Sequence, residues 1–181
     1  MRKILVTIIA AILLGVSTAN ATVYKFTFDS SDGQLTAAGE MTVNTAGEVT
    51  GVSGGISGLV DQTIAGVAAN PSFPGPAYSL DGSFIYNNLY HASGAPFDID
   101  GLLFVTAQNP GGYWNLWENS PGDYSLWESV GSYNYPVEES GNLSMAAAPE
   151  LSTWAMLAVG FAGLGAVGRR RRGPRLAPAL S

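Results

Sequence analysis

The chain has 181 residues, the length of one domain of ordinary size, and carries 14 acidic side chains against 8 Lys and Arg for a formal net charge of -6. The charges are segregated: Arg2 and Lys3 open the chain, Arg169, Arg170, Arg171, Arg172 and Arg175 lie near its end, and between them Lys25 is the only cation. Phosphates would repel so acidic a centre, which excludes nucleic-acid binding. The absence of cysteine excludes disulfide staples, thiolate catalysis and zinc–thiolate sites.

Residues 1–21 read as a Sec signal peptide. Arg2 and Lys3 form a positive start, Ile4 to Val16 an apolar run, and Ala19-Asn20-Ala21 a small-x-small site for signal peptidase. The mature chain is therefore expected to begin at Thr22. The alternative is an uncleaved N-terminal anchor, against which the run is short and is followed at once by polar residues.

From Thr22 to Ala148 no helical periodicity is sustained over a dozen residues. Tyr24, Phe26 and Phe28 alternate with Val23, Lys25 and Thr27, the two-residue period of a half-buried strand. Thr36–Val43 and Glu48–Val52 flank Asn44-Thr45-Ala46-Gly47, a hairpin with its turn glycine in place. Short apolar runs follow at Ile56–Val60, Ser83–Tyr86 and Leu102–Thr106, with a proline-rich loop at Asn70–Tyr78. Tyr113–Glu118 and Tyr124–Val130 surround Ser120-Pro121-Gly122-Asp123, where Pro-Gly suits the centre of a turn. Asn142–Met145 reads as the last strand. Many short strands between turn signals predict an all-β domain, a β-sandwich or jelly roll, over residues 22–148.

Within it, Asn115-Leu116-Trp117-Glu118-Asn119 is echoed by Ser125-Leu126-Trp127-Glu128-Ser129 on the other arm of the predicted hairpin, and Tyr113, Trp114, Tyr124, Tyr133 and Tyr135 cluster around the pair. Flat rings at Trp117 and Trp127 beside Asn and Glu acceptors would suit a sugar platform, with rings on sugar C–H groups and acceptors on hydroxyls. The competing reading is that aromatics favour strands and fill cores.

Candidates for chemistry are sparse. His91 is the only histidine, and no nucleophile elbow accompanies it for a Ser-His-Asp triad. Asp98 with Asp100, or Glu118 with Glu128, are carboxylate pairs of the type glycoside hydrolysis needs. Asp29-Ser30-Ser31-Asp32-Gly33 and Asp98-Ile99-Asp100-Gly101 offer oxygen ligands to calcium, but neither completes an EF-hand loop, and Asp-Gly is ordinary turn chemistry. No phosphate-cradling loop or cofactor fingerprint is visible. The sequence predicts no catalytic residues, no cofactor and no metal.

At the C-terminus, Pro149-Glu150 leads into Leu151–Gly168, an uncharged run closed by Arg169–Arg172. At helical rise its length spans roughly 27 Å, just enough for a hydrocarbon core. Trp154 suits the outer interface, and the arginines a cytoplasmic stop. Pro149, Glu150, Ser152, Thr153 and Trp154, the glycine-rich run and the arginine block together resemble a PEP-CTERM sorting signal, with Leu151 where that motif has its second proline. The resemblance covers about thirty residues. It implies recognition by an exosortase, a membrane-embedded transpeptidase-like enzyme of Gram-negative bacteria, and export alongside exopolysaccharide. The expectation is thus an exported protein, transiently in the inner membrane and then at the cell surface or in the matrix. Its predicted partners are the Sec machinery, signal peptidase, an exosortase and exopolysaccharide. The alternatives are a permanently anchored surface domain and a secreted carbohydrate-binding or carbohydrate-active protein.

Overall fold

The computed structural model describes residues 21–129 and 137–148. The signal segment with Ala19, the tyrosines at 133 and 135, and the sorting segment with Pro149, Glu150, Ser152, Thr153, Trp154 and Arg169–Arg172 lie outside the described residues.

Among the described residues there is no helix, so the all-β expectation holds. Ten strands follow in order: β1 Thr22–Ser30, β2 Leu35–Val43, β3 Val49–Gly58, β4 Gln62–Val67, β5 Ala77–Tyr78, β6 Ile85–Tyr86, β7 Leu102–Thr106, β8 Trp114–Ser120, β9 Asp123–Glu128 and β10 Glu138–Ala147. Eight of them form one closed antiparallel sheet in the order β1-β10-β9-β8-β7-β4-β3-β2. Each barrel strand therefore pairs with its neighbours in sequence, and β10 closes the ring on β1 from Tyr24↔Ala147 to Ser30↔Gly141. The sheet wraps on itself where a sandwich or jelly roll would stack two sheets. Sandwich and barrel share the same local signals of short alternating strands and tight turns, and the closing pairs that separate them are remote in sequence.

Alternation fixes what each face carries. On β1 and β2, Phe26, Phe28, Leu35, Ala37, Met41 and Val43 are buried inside the barrel. Their neighbours Lys25, Asp29 and Glu40 face out, with Lys25 Nζ 3.9 Å from Glu40 Oε1 across the register. This exposed pair contributes no more than about 1 kcal/mol. Val49, Val52, Ile56, Ile64, Leu102, Phe104, Trp114, Leu116, Tyr124 and Leu126 complete the interior. Between β2 and β3 Gly39 faces Gly54, and a Cβ on Gly54 would stand 2.1 Å from the Ala38 carbonyl oxygen. Only glycine admits so close an approach of two strands.

Two turns with one chemistry hold hairpins in place. In the β1–β2 turn, Ser30 Oγ donates to Asp32 Oδ1 (2.8 Å) and accepts from Leu35 N–H (2.9 Å), while Gln34 N–H donates to Asp32 Oδ1 (3.0 Å). The β5–β6 turn repeats this: Ser79 Oγ donates to Asp81 Oδ1 (2.6 Å) and accepts from Phe84 N–H (2.9 Å), and Ser83 N–H donates to Asp81 Oδ1 (3.1 Å). Both turns place glycine, Gly33 or Gly82, at a φ near +73° or +74° directly after the aspartate. The shared pattern Ser-x-Asp-Gly-x-apolar is thus a local hairpin device. It also uses Asp32 within the turn, where calcium ligation was the other reading of that segment.

The β5–β6 hairpin is inserted between β4 and β7 and lies on the barrel's outer wall. Ala77, Phe84, Tyr86 and Leu103 form a second, smaller buried cluster there, against which Ala68, Tyr113, Trp117 and Trp127 pack. Asn88 ties the insertion down: it is 1% exposed, donates from Nδ2 to Ala68 O (2.6 Å) and accepts Leu103 N–H (2.9 Å) at Oδ1. Its φ of 54° is one that asparagine tolerates better than most residues.

Candidate functional site: a tryptophan cleft on the barrel wall

The repeated Leu-Trp-Glu segments acquire their meaning from the β8–β9 register. Leu116 pairs with Leu126, Trp117 with Ser125, Asn115 with Trp127, and Trp114 with Glu128. The two leucines therefore meet inside the barrel, and the two tryptophans become diagonal neighbours on its outer face. Their ring centroids are 6.2 Å apart at 43°, and Phe84 of the inserted hairpin stands edge-on to Trp127 at 5.7 Å. The aromatic stretch thus divides, with Trp114 and Tyr124 filling the core and Tyr113, Trp117 and Trp127 lying outside it. The rings pack beneath the hairpin and also line an open cleft.

That cleft has a volume of about 310 Å³, at the lower end for small-molecule sites. Asn115, Trp117 and Trp127 come from β8 and β9, Ser83, Phe84 and Ile85 from the hairpin, and Ile99 and Asp100 from the loop before β7. Ile85 and Ile99 are 44% and 66% exposed and give it an apolar rim. Burial, and secondarily the charge of Asp98, push the Asp100 carboxyl above its ordinary value of 3.8. Asn115 is 3% exposed; its Nδ2 donates to Asp100 O (3.1 Å) and Ile85 O (3.4 Å), bridging the two loops that flank the cleft. Among the described residues, two buried side-chain polar atoms have no hydrogen-bond partner, Asn115 Oδ1 and Trp127 Nε1. Both belong to residues of this cleft.

The Glu118 and Glu128 pair does not assemble. Glu118 and Glu128 both point to the inner face, but Glu128 is level with Trp114, four residues along β8 from Glu118. At about 3.3 Å per residue that is roughly 13 Å, beyond the separations of about 5–9.5 Å at which paired carboxyls hydrolyse glycosides. Glu118 closes the hairpin by accepting Gly122 N–H (3.1 Å). Glu128 is fully buried and accepts from Gln62 Nε2 (3.0 Å) and Asn109 Nδ2 (3.1 Å). Gln62 Oε1 in turn accepts from Trp114 Nε1 (3.1 Å) and from Thr106 Oγ1, so this inner network is densely matched.

Asp98 caps its own turn, with Oδ1 accepting the backbone N–H of Asp100 (3.0 Å) and of Gly101 (3.2 Å), and both oxygens accepting from Asn87 Nδ2. His91 Nε2 lies 3.8 Å from Asp98 Oδ2 at a loop edge where both side chains are 40% exposed. Among the described residues no group of three or more His, Asp or Glu is arranged to hold a metal.

The sequence reading singled out Trp117, Trp127 and the Asn beside them. It did not find the hairpin that walls the cleft, because the strands Ala77–Tyr78 and Ile85–Tyr86 are two residues each. The signal that could have found it is the recurrence of Ser-x-Asp-Gly at Ser30 and Ser79. Comparison with known proteins returns no match among family models, curated proteins or solved structures.

Proposed function

We propose that this is an exported cell-envelope or matrix protein. In this reading Sec exports it, its C-terminal segment routes it to an exosortase-type enzyme, and its barrel associates with exopolysaccharide without catalysing a reaction. The observation that carries the carbohydrate part is the outward-facing Trp117–Trp127 pair. Among the described residues of the eight barrel strands the other large aromatics pack inward, whereas here two indoles line an accessible cleft beside an amide and a carboxylate. Aromatic faces offer the C–H surface of a sugar ring an apolar partner, and neighbouring polar groups take its hydroxyls. The sorting part rests on the sequence alone. Pro149-Glu150, the apolar run and Arg169–Arg172 suit a span held at the cytoplasmic face, because drawing four arginines through hydrocarbon is costly.

Two measurements test the proposal. Intact mass of the exported protein, in cells with and without an exosortase, should show the tail beyond Glu150 lost only where the enzyme is present. A tail retained through Ser181 in both strains would make the segment a permanent anchor. In the second, the exported protein should sediment with the polysaccharide of the producing cells, and the Trp117→Ala/Trp127→Ala double variant should stay in the supernatant. Equal sedimentation of parent and folded double variant removes the tryptophans from the reading.

A further inference from the structure

We infer that the tryptophan cleft takes an organic cation, and that the polysaccharide with which the barrel associates carries free amino groups. This rests on the proposed association with polysaccharide and adds to it the sign of the charge.

The walls supply the first argument. Phe84, Trp117 and Trp127 all line the cleft, with ring centroids 5.7 to 6.5 Å apart and planes tilted by 43 to 83°, so none is stacked flat on another. Both tryptophans are half-buried, which leaves part of each indole open to the cleft. The face of an indole is the negative side of its quadrupole and attracts a cation within about 6 Å of the ring centre. Ile85 and Ile99 on the rim thin the water around such a contact and strengthen it.

The second argument is the carboxylate. Asp32, Asp81 and Asp98 are each engaged in their own turns by backbone N–H groups. Asp100, which lines the cleft, differs: among the described residues its carboxyl has no hydrogen bond and no ion pair. The only histidine, His91, lies against Asp98. No Lys, Arg or His lines the cleft, so a half-buried anion there is left without a counter-charge, and the charge of Asp98 adds to its need for one.

The third argument is the surrounding field. Residues 22–148 hold Lys25 as their only Lys or Arg, and all of the chain's 14 acidic residues except Glu150. Such a surface attracts cationic chains from a distance and repels anionic ones. A basic peptide would satisfy the same charges, but peptides also dock through their backbones on free strand edges. Strands β7, β8 and β9 around the cleft are each paired on both sides, so no edge is offered there. An amine-bearing polysaccharide needs only the aromatic and carboxylate contact.

The experiment titrates the full chain in detergent at about pH 6, where such amines are protonated, following tryptophan fluorescence and calorimetric heat. The probes are the glucosamine tetramer, its fully N-acetylated counterpart, which has the same backbone without the charge, and tetralysine. The glucosamine tetramer should bind, and the acetylated one at least tenfold more weakly. Asp100→Asn should weaken the glucosamine tetramer about tenfold, whereas Asp61→Asn, the same change of net charge in the exposed β3–β4 turn, should stay within about twofold. Trp117→Leu, folded by circular dichroism, should weaken it about fivefold. Equal affinity for the two sugar tetramers, or equal behaviour of the two aspartate variants, overturns the inference. Binding of tetralysine without the glucosamine tetramer overturns it in favour of a peptide partner. If no probe binds but the chain sediments with cellular polysaccharide, the broader reading survives and only the cation site fails. If it does not sediment either, both fail.

Discussion

The two faces of the β8–β9 hairpin treat the same residue type in opposite ways. Trp114 is fully buried on the inner face, and its indole N–H donates to Gln62 Oε1 at 3.1 Å. Trp127 lies on the outer face, one strand away, and its indole N–H has no partner. Glu128, next to Trp127 in sequence, is fully buried yet accepts from Gln62 and Asn109. A single step along a strand thus separates polarity matched within the fold from polarity left unmatched. The inner network specifies the barrel, because removing any member strands its partners. The outer face holds the inserted hairpin through Asn115 Nδ2 and the two indoles, and leaves two buried polar atoms unmatched there.

Breaking the inner face should cost most. Trp114→Ala is expected to remove about 3–5 kcal/mol of stability, since it empties the barrel core and takes a donor from Gln62. Urea unfolding of the protein, followed by far-UV circular dichroism, reads this directly. Glu128→Ala should follow at about 1–3 kcal/mol, because it removes the acceptor shared by the Gln62 and Asn109 amides. Trp127→Phe should change the unfolding free energy by less than about 1 kcal/mol, as the ring stays against Phe84 and the lost N–H had no partner. A loss as large as that of Trp114→Ala would erase the distinction between the faces.

The smallest effect is a pH dependence. Burial, then the Asp98 charge, raises the folded-state pKa of Asp100 above 3.8, so the fold favours its protonated form. Asp100 therefore costs stability above its folded pKa, and that cost is relieved as pH falls through this pKa towards the unfolded value. Asp100→Asn should be slightly more stable than the parent at neutral pH, with the difference vanishing as pH falls to 3.8 and below. Asp81 runs the other way. Its burial is outweighed by hydrogen bonds from Ser79, Ser129 and Ser83, so its pKa is lowered, and its contribution should fade as pH falls through that lowered pKa. Unfolding midpoints measured across this range separate the two aspartates.

Much of the hairpin order was legible because it is local. Leu102–Thr106 is a strand with the bounds read from the sequence, and the Asn44–Gly47 turn sits between β2 and β3 as expected. The echo of Leu-Trp-Glu was visible, and with it the pair at the site. Strand β4 was missed because its inward residue Gln62 is polar, which hides the alternation; it is buried for the network it serves. Strand β10 extends beyond the expected Asn142–Met145 because Glu138 and Glu139 pair with Trp127 and Leu126 despite their charge. The two-residue strands of the inserted hairpin carry no period at all. The unmatched Asn115 and Trp127 atoms are a property of their surroundings and have no signature in the residues themselves.

Closure of the ring has a consequence for the order in which the chain gains its structure. Strand β1 finds β2 within a few residues, but its other neighbour, β10, is the last strand of the domain. A chain delivered N-terminus first therefore holds β1 with one edge unpaired throughout the emergence of every strand between. Such an edge presents free backbone groups to any passing strand, another copy of the same chain included. The pairing that covers this edge joins the two ends of the domain, and contacts of such sequence separation are the slowest to be made. Ending the chain before Glu138 would leave the outer edges of β1 and β9 open together, and the expected product is an aggregate and not a smaller barrel.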